Sequence, residues 1–248
     1  MWDIIDASYG SNLSCDNDNN AFDTVSHLFK IEQQLVEWKT LLPPPLTLRH
    51  AADISVALPS LGTIPSLLEK FQVILTLRYH NVRILLHRPV LLKFLSLVGR
   101  GNLDMDPQEI NLLQQLGGNS VLICVQSSTE IIAIIHTIVA SPHPRRMWLG
   151  AWWFTLYYAF NAAIIIFAAL LLSHDQTLNT PTLLPVSLPV TVLQKTLGDA
   201  AVALKLLDIG NRIVERCTRY LEQLFGVLAS LSTSFPSLLL ASKNKIKI

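Results

Sequence analysis

Apolar side chains recur once per helical turn in the stretch that leads to Pro89. The apolar positions are Leu68, Phe71, Leu75, Tyr79, Val82 and Leu86. A spacing of three and four residues places them on one face of an α-helix. The opposite face carries Glu69, Thr76, His80, Arg83 and His87, which we expect to be solvated. Because proline lacks an amide hydrogen and disfavours the helical region for the residue before it, we expect this helix to end or kink near His87.

Another helix is predicted upstream, from Asp23 to the three prolines at 43–45, with Asp23 or Thr24 as its N-cap. Its predicted buried side is Val25, Leu28, Leu35, Trp38 and Leu42. Its predicted solvated side is Glu32, Gln33, Glu37 and Lys39. This segment is therefore also predicted to be an amphipathic helix.

Downstream, Asp106 and Pro107 form a helix start signal, with aspartate as the cap and proline at the first helical position. Gly117 and Gly118 are expected to interrupt this helix, and a further helix is predicted from Ser120. One side of that further helix is predicted to carry Cys124, Ile131, Ile135 and Ile138.

The remaining chain is divided by connections and by two more helical regions. Residues 46–65 are predicted to be a connection with little pattern, and residues 99–102 a turn. After Pro142 and Pro144, helices are predicted over 145–172 and 190–228. The last region has two apolar stripes: Leu197, Leu204 and Leu207, then Ile213, Cys217, Tyr220, Leu221 and Leu224.

These patterns predict an all-α fold, an irregular bundle of about six to eight helices without a sheet. We expect the helical domain to cover residues 21–231, between a flexible tail at 1–20 and a frayed tail at 232–248. Half of the 248 residues are hydrophobic and 15% are charged, against roughly 25% charged in an average soluble domain. Such a chain has a large interior, hides surface against a partner, or enters a membrane.

Charge and cysteine usage narrow the possible functions. A formal net charge of +1 does not provide the basic stripe that duplex binders carry, so we expect no direct DNA contact. Cys15, Cys124 and Cys217 lie far apart and form no CxxC pair, which argues against a disulfide framework or a zinc site. We therefore expect no metal or cofactor in this chain.

No catalytic motif is found: there is no nucleophile elbow, phosphate-binding glycine loop or HExxH pattern. The spacing of His80 and His87 is wrong for a metal pair on a helix, and a solvated face is the simpler interpretation. Arg83 and Arg88 could bind a carboxylate or a phosphate, but we favour the simpler interpretation that Arg88 caps the carbonyl groups left open before Pro89. The aromatic residues Trp148, Trp152 and Trp153 could line a ligand pocket, but we interpret them as core, because an aromatic stripe at helical spacing is usually core. The sequence thus predicts a protein that is not an enzyme.

A membrane protein is an alternative, because residues 151–172 contain no charged residue and reach the length needed to cross a bilayer. Arg145 and Arg146 precede this stretch as possible anchors. Asn161 near its centre and Tyr157 and Tyr158 within it favour the core helix of a large helical domain instead.

Four segments follow one another along the chain: LVEWKTLLPPPL, YHNVRILLHRPVL, the helix around Cys124, and the tryptophan-led helix after Pro144. In this order they resemble the regulatory (middle homology) domain of fungal zinc binuclear cluster transcription factors, and the resemblance covers approximately residues 24–228. The residues that carry the resemblance are Trp38, Leu41, Pro43, Tyr79, Arg83, Leu86, His87, Arg88, Pro89, Cys124, Trp152 and Phe160.

The resemblance implies a nuclear regulatory domain that modulates transcription through protein contacts, in some relatives with a small-molecule effector. The early helices of the family's domain and its six-cysteine zinc cluster are absent from this chain, so the match covers the carboxy-terminal part of the domain. It implies zinc and DNA binding only in a missing amino-terminal cluster. It also implies that protein partners, or that missing part of the factor, cover apolar surface here. A helical metabolite-binding domain is a further alternative.

Overall fold

The computed structural model describes residues 21–57, 67–100, 107–141, 146–178, 188–207 and 210–231. These residues form seven α-helices and two short 3₁₀ turns, Pro44–Leu46 and Arg146–Leu149, with no strand among them. The α-helices are α1 (Ala21–Thr40), α2 (Ala51–Ala57), α3 (Leu67–Arg100), α4 (Pro107–Val139), α5 (Trp152–Leu178), α6 (Val190–Leu207) and α7 (Arg212–Leu231). The all-α prediction is confirmed. The predicted tails, 1–20 and 232–248, lie outside the described residues.

Helix α4 lies at the centre of the bundle. It packs against α3, α5 and α6, and also contacts α1 and α2. Its second half is apolar on several sides, and its fully buried residues include Ile131, Ile132, Ile134, Ile135 and Ile138. A helix that is apolar nearly all round is typical of the core of a large helical protein.

The prediction that a helix ends near His87 is wrong, because α3 continues through Pro89 to Arg100. A kink at Pro89 stays a prediction. A proline inside a helix costs about 3 kcal/mol. The residues that follow are buried: Leu91 and Phe94 are fully inside the core, and each such burial contributes about 1.5–3 kcal/mol. Packing against α4 therefore outweighs the lost hydrogen bond. The predicted turn at 99–102 is also wrong at its first two residues, which are helical.

The two predicted faces of α3 are also partly wrong. Leu68 and Phe71, which were predicted to lie on the apolar face, are exposed. Thr76 and His87, which were predicted to lie on the solvated face, are buried. The cause is that α3 contacts α1 and the Pro44–Leu46 turn as well as α4 and α5. When a helix packs against neighbours on several sides, its buried residues do not lie on one apolar stripe and cannot be predicted from such a stripe.

The predicted break at Gly117 and Gly118 is not present, because α4 is continuous. Gly117 instead lies where α3 packs closely against α4. A Cβ atom at Gly117 would lie 2.8 Å from Phe94 Cε2 and 3.0 Å from Val90 Cγ1. Glycine at this position therefore allows the two helices to pack closely, and it does not end the helix.

We expect Gly117→Ala to lower the free energy of unfolding by about 1–2 kcal/mol. The 2.8 Å contact with Phe94 places the cost of overpacking in the upper part of its usual range, about 2–3 kcal/mol, and alanine recovers about 1 kcal/mol of helix propensity. Gly198→Ala in α6 is the matched control, since nothing lies within 4 Å of its added Cβ. That variant should be stabilised by about 0.5–1 kcal/mol. Urea unfolding of both variants measures the difference, and equal effects would contradict the close approach.

Several other boundaries differ from the prediction. The first helix begins at Ala21, before the predicted caps. The connection at 46–65 contains α2, whose first amide, that of Ala51, donates a 2.8 Å hydrogen bond to Glu130 Oε1 on α4. The helix predicted from 145 begins at Trp152, after a 3₁₀ turn.

Burial in the last two helices is mixed. In α6, Leu197, Leu204 and Leu207 are buried as predicted. In α7, Leu221 is buried, but Ile213 and Tyr220 are exposed, which contradicts their assignment to the core.

Candidate functional site

A buried ionic group joins α1 to α3. Arg83 places Nη2 2.6 Å and Nε 2.8 Å from Glu32 Oε1. The fully buried His87 places Nε2 3.3 Å from Glu32 Oε2. Both oxygens of one carboxylate on α1 are therefore bound by side chains that lie four residues apart, one turn, on α3.

The electrostatics of Glu32 favour its ionised form. Burial alone raises the pKa of the Glu32 carboxyl, but hydrogen bonds from His87 and Arg83, with the positive charge of Arg83, outweigh burial and hold this pKa below its ordinary value of 4.5. Glu32 is consequently a carboxylate near neutral pH and balances the charge of Arg83. Removing it would leave a nearly buried guanidinium without its counter-charge.

An aromatic pair extends this group along α1 and α3. The Trp38 and Tyr79 rings stack with centroids 6.2 Å apart and planes 17° apart. Arg83 Cζ lies 5.6 Å and Lys39 Nζ 5.7 Å from the centroid of the Tyr79 ring, within reach of a cation–π interaction. Burial is the main cause of a raised pKa at the Tyr79 hydroxyl. We name Glu32, Trp38, Tyr79, Arg83 and His87 the Glu32 cluster.

His80 lies beside the cluster, where its ring contacts Tyr79 edge-on with ring centroids 5.3 Å apart. Burial, helped by the charges of Arg83 and Lys39, lowers the pKa of His80 to about 3, so the ring is neutral. Its Nδ1 is buried and has no hydrogen-bond partner among the described residues. His80 and His87 were both predicted to lie on a solvated face, and for the fully buried His87 this prediction is wrong.

Cys124 is placed for packing and not for reaction. It is fully buried against α3, and its thiol lies 3.8 Å from the carbonyl oxygen of Ile84. Burial raises the pKa of the thiol to about 12. Since the thiolate is the reactive form of cysteine, this residue is not an activated nucleophile. Within the described residues, no group of three histidine, cysteine, aspartate or glutamate side chains is placed to hold a metal ion.

The other residues that carry the family resemblance do not join the cluster. Leu86 is in the core, whereas Leu41 and Pro43 are exposed beyond the end of α1. Arg88 is exposed on a helix that does not stop at Pro89, so its predicted capping role is wrong.

On α5 lie two more residues that carry the family resemblance, Trp152 and Phe160, and both are half-buried. Trp152 contacts the Trp153 ring edge-on, and Phe160 contacts Tyr220 on α7. Trp148, also interpreted as core, is fully buried, whereas Trp153 is exposed on the solvent side of α5, so its assignment to the core is wrong.

Glu32 is the member of the cluster that the sequence analysis missed. It was assigned to the solvated side of its helix, yet it is buried. One signal was present: Glu32 is four residues after Leu28 and three before Leu35, both of which are buried, so it shares their face. A carboxylate on an apolar face indicates a cationic partner, which here is Arg83.

Two described helices are long and apolar enough to cross a bilayer by length and composition, Leu113–Val139 and Trp152–Ser173. In each, 61% of the most apolar window is buried inside the protein. The apolar composition of these two helices is therefore also explained by a helical core, because core helices and membrane spans are both apolar.

A surface depression of about 340 Å³ lies between α6 and α7. It is lined by Lys205, Gly210, Val214, Glu215, Thr218, Arg219 and Glu222. Five of these seven residues are polar or charged, whereas most small-ligand pockets are lined predominantly by hydrophobic and aromatic side chains. A small-molecule effector therefore stays a prediction.

Two curated fungal proteins are similar to this chain. Transcription factor FBD3 of Gibberella moniliformis is 31% identical over 221 residues, which is 87% of this chain and 27% of the relative. Transcription factor FBD3 of Fusarium pseudograminearum is 30% identical over 221 residues, with the same coverage. The chain thus spans about a quarter of the length of the curated relatives it matches. No family model matches the chain, and no solved structure matches it.

Proposed function

We propose that this chain belongs to a fungal transcription factor and forms the carboxy-terminal part of its regulatory (middle homology) domain. The observation that carries the proposal is the 31% identity over 221 residues with a protein named as a transcription factor. The match covers 87% of this chain, so it extends over nearly all the described helices and is not confined to one motif.

The Glu32 cluster supports the finer part of this proposal. Four residues chosen from the family resemblance, Trp38, Tyr79, Arg83 and His87, lie together across α1 and α3. The role of the cluster is structural, because its charges are paired with one another and are largely inaccessible to solvent. We infer that it fixes α1 on the bundle and thereby sets the shape of a domain that works by protein contact, not by catalysis.

The proposal also covers DNA binding, zinc binding, localisation and partners. DNA binding and the zinc cluster belong to a different part of the factor, because the net charge of +1 offers no basic stripe for DNA. The protein acts in the nucleus, through protein partners. A membrane protein is not proposed, since most of each candidate span is buried inside the bundle.

A reporter assay tests the proposal. The chain is inserted between a heterologous DNA-binding domain and an activation segment in a fungal host, and reporter output is compared with that of the fusion lacking the chain. We expect the chain to change output several-fold, and Glu32→Gln to abolish the change while Glu37→Gln preserves it. Unchanged output from a fusion that accumulates in the nucleus, or recovery of the chain in the membrane fraction, would refute the proposal.

A further inference from the structure

Helix α7 carries an apolar stripe that the bundle leaves uncovered. One stripe, Val214, Thr218, Leu221 and Leu228, is buried. A second stripe lies beside it: Ile213, Cys217, Tyr220, Leu224 and Val227. Ile213, Tyr220 and Val227 are 55%, 50% and 46% exposed, and the other two residues are half-buried. Steps of four and three residues make the second stripe a continuous seam of the kind that receives another helix.

Helix α5 has an uncovered stripe of the same spacing. It consists of Trp153, Tyr157, Phe160, Ile164, Phe167 and Leu171. Trp153 and Tyr157 are 54% and 44% exposed, and the other four are half-buried. Residues 151–172 contain no charged side chain. The solvent side of α5 is therefore apolar along most of its length, unlike the usual polar side of a surface helix.

The two stripes meet at one contact, where the Phe160 and Tyr220 rings lie with centroids 6.0 Å apart. We call the two stripes together the α5–α7 face. Two neighbouring helices with exposed seams of this spacing offer a third helix a site in which its own apolar residues are buried on both sides. A contiguous exposed apolar patch on a folded protein is typical of an interaction site.

The edge of the face has a charge of one sign. Arg216 lies three residues after Ile213 and four before Tyr220, so it borders the seam, and Arg212 lies one turn before it. Both arginines are exposed, and neither has a carboxylate within 4 Å among the described residues. Glu222 lies on a different side of α7, where its Oε1 is 2.9 Å from Lys205 Nζ. A helix docked on the seam would thus present its own edge to two guanidinium groups.

We propose that the α5–α7 face binds an acidic amphipathic helix from another polypeptide. Its apolar residues, at steps of three and four, would pack on the seam, and its aspartate or glutamate residues would pair with Arg212 and Arg216. A second copy of this chain fits less well. Paired in parallel, α7 would oppose Arg216 to arginine, and paired antiparallel it would oppose Arg216 to Gln223 or Ser230, so neither arrangement supplies a carboxylate.

This inference rests on the proposed function, because a regulatory domain that works by contact needs such a surface. Its test is a binding measurement on the purified chain, so its failure would leave the reporter result unaffected. The probe is a fluorescein-labelled amphipathic peptide of about 20 residues, long enough to form a helix, with leucine along its seam and glutamate along one edge. A second peptide carries lysine in place of each glutamate.

We expect the glutamate peptide to bind about tenfold more tightly than the lysine peptide, as measured by fluorescence anisotropy. In the variant Arg212→Glu with Arg216→Glu this preference should invert. Lys30→Glu with Arg88→Glu, at exposed positions on α1 and α3, is the control and should keep the original preference. Melting curves matched to the wild type ensure that each variant is folded.

Four results would contradict the proposal. Equal binding of the two peptides, or a preference that survives the charge reversal on α7, would overturn the proposal. So would a dimer that Tyr220→Glu dissociates, because the face would then belong to a second copy. Flotation of the chain with phosphatidylcholine vesicles, lost in the same variant, would assign the face to lipid and also overturn it.

Discussion

Replacing Glu32 by glutamine should lower the free energy of unfolding by about 3–5 kcal/mol at neutral pH. Glutamine keeps the shape of the side chain but removes the charge that faces Arg83 and His87. The guanidinium is then held in a site where its side chain is only 17% exposed, without a counter-charge. Breaking a buried ion pair by removing one partner typically has this cost, because the remaining charge cannot regain its hydration.

The pH dependence of the same variant follows from the lowered pKa of Glu32. A carboxyl with a folded-state pKa below its unfolded value of about 4.5 contributes stability above pH 4.5. That contribution is lost as the pH falls through the folded-state pKa. The difference in unfolding free energy between the wild type and Glu32→Gln should therefore be largest near pH 7 and shrink steadily below pH 4.5.

Glu37→Gln is the matched control, since Glu37 lies on the same helix, is exposed, and accepts a 2.9 Å hydrogen bond from Gln33. Its effect should stay within about 0.5 kcal/mol. Arg83→Met should cost nearly as much as Glu32→Gln, and the double variant should cost less than the sum of the two, because both single changes break one pair. A loss below about 1 kcal/mol in Glu32→Gln would mean that the carboxylate is solvated.

The sequence predicted the helical class and much of the inward-facing surface. Leu28, Leu35, Ile131 and Ile135 lie where their spacing placed them, because each belongs to a helix face that a neighbour covers. At such positions the helical spacing of apolar residues is sufficient to predict that they are buried. The same reasoning failed on α7, where Tyr220 continues an apolar pattern that is only partly covered by the described bundle.

The site could be predicted only in part, for a physical reason. The family resemblance singled out Arg83 and His87, but the partner of both is a glutamate on another helix, and no local pattern on α3 specifies it. Buried polar groups are fixed by the packing of distant segments. Gly117 was misread for a related reason: its role depends on Phe94, which lies on a different helix. Local propensity cannot identify a tertiary contact.

Pro89→Ala should raise the free energy of unfolding by about 1–3 kcal/mol. The structure places Pro89 inside α3, with Val90, Leu91 and Phe94 of the following turn in the core. Proline in a helix interior costs about 3 kcal/mol relative to alanine, because it removes one backbone hydrogen bond and its ring crowds the preceding turn. Alanine restores that bond, and the gain is reduced by the packing that the half-buried ring provides.

Pro107→Ala is the matched control, since Pro107 is the first residue of α4. A proline there loses no intrahelical hydrogen bond, so the stability of that variant should change by less than about 0.5 kcal/mol. Chemical denaturation of the two variants side by side compares a proline inside a helix with one at its start. If α3 ended before Pro89, the proline would be at a boundary that favours it, and Pro89→Ala would be neutral or destabilising. A gain confined to Pro89→Ala is therefore the result that a continuous α3 requires.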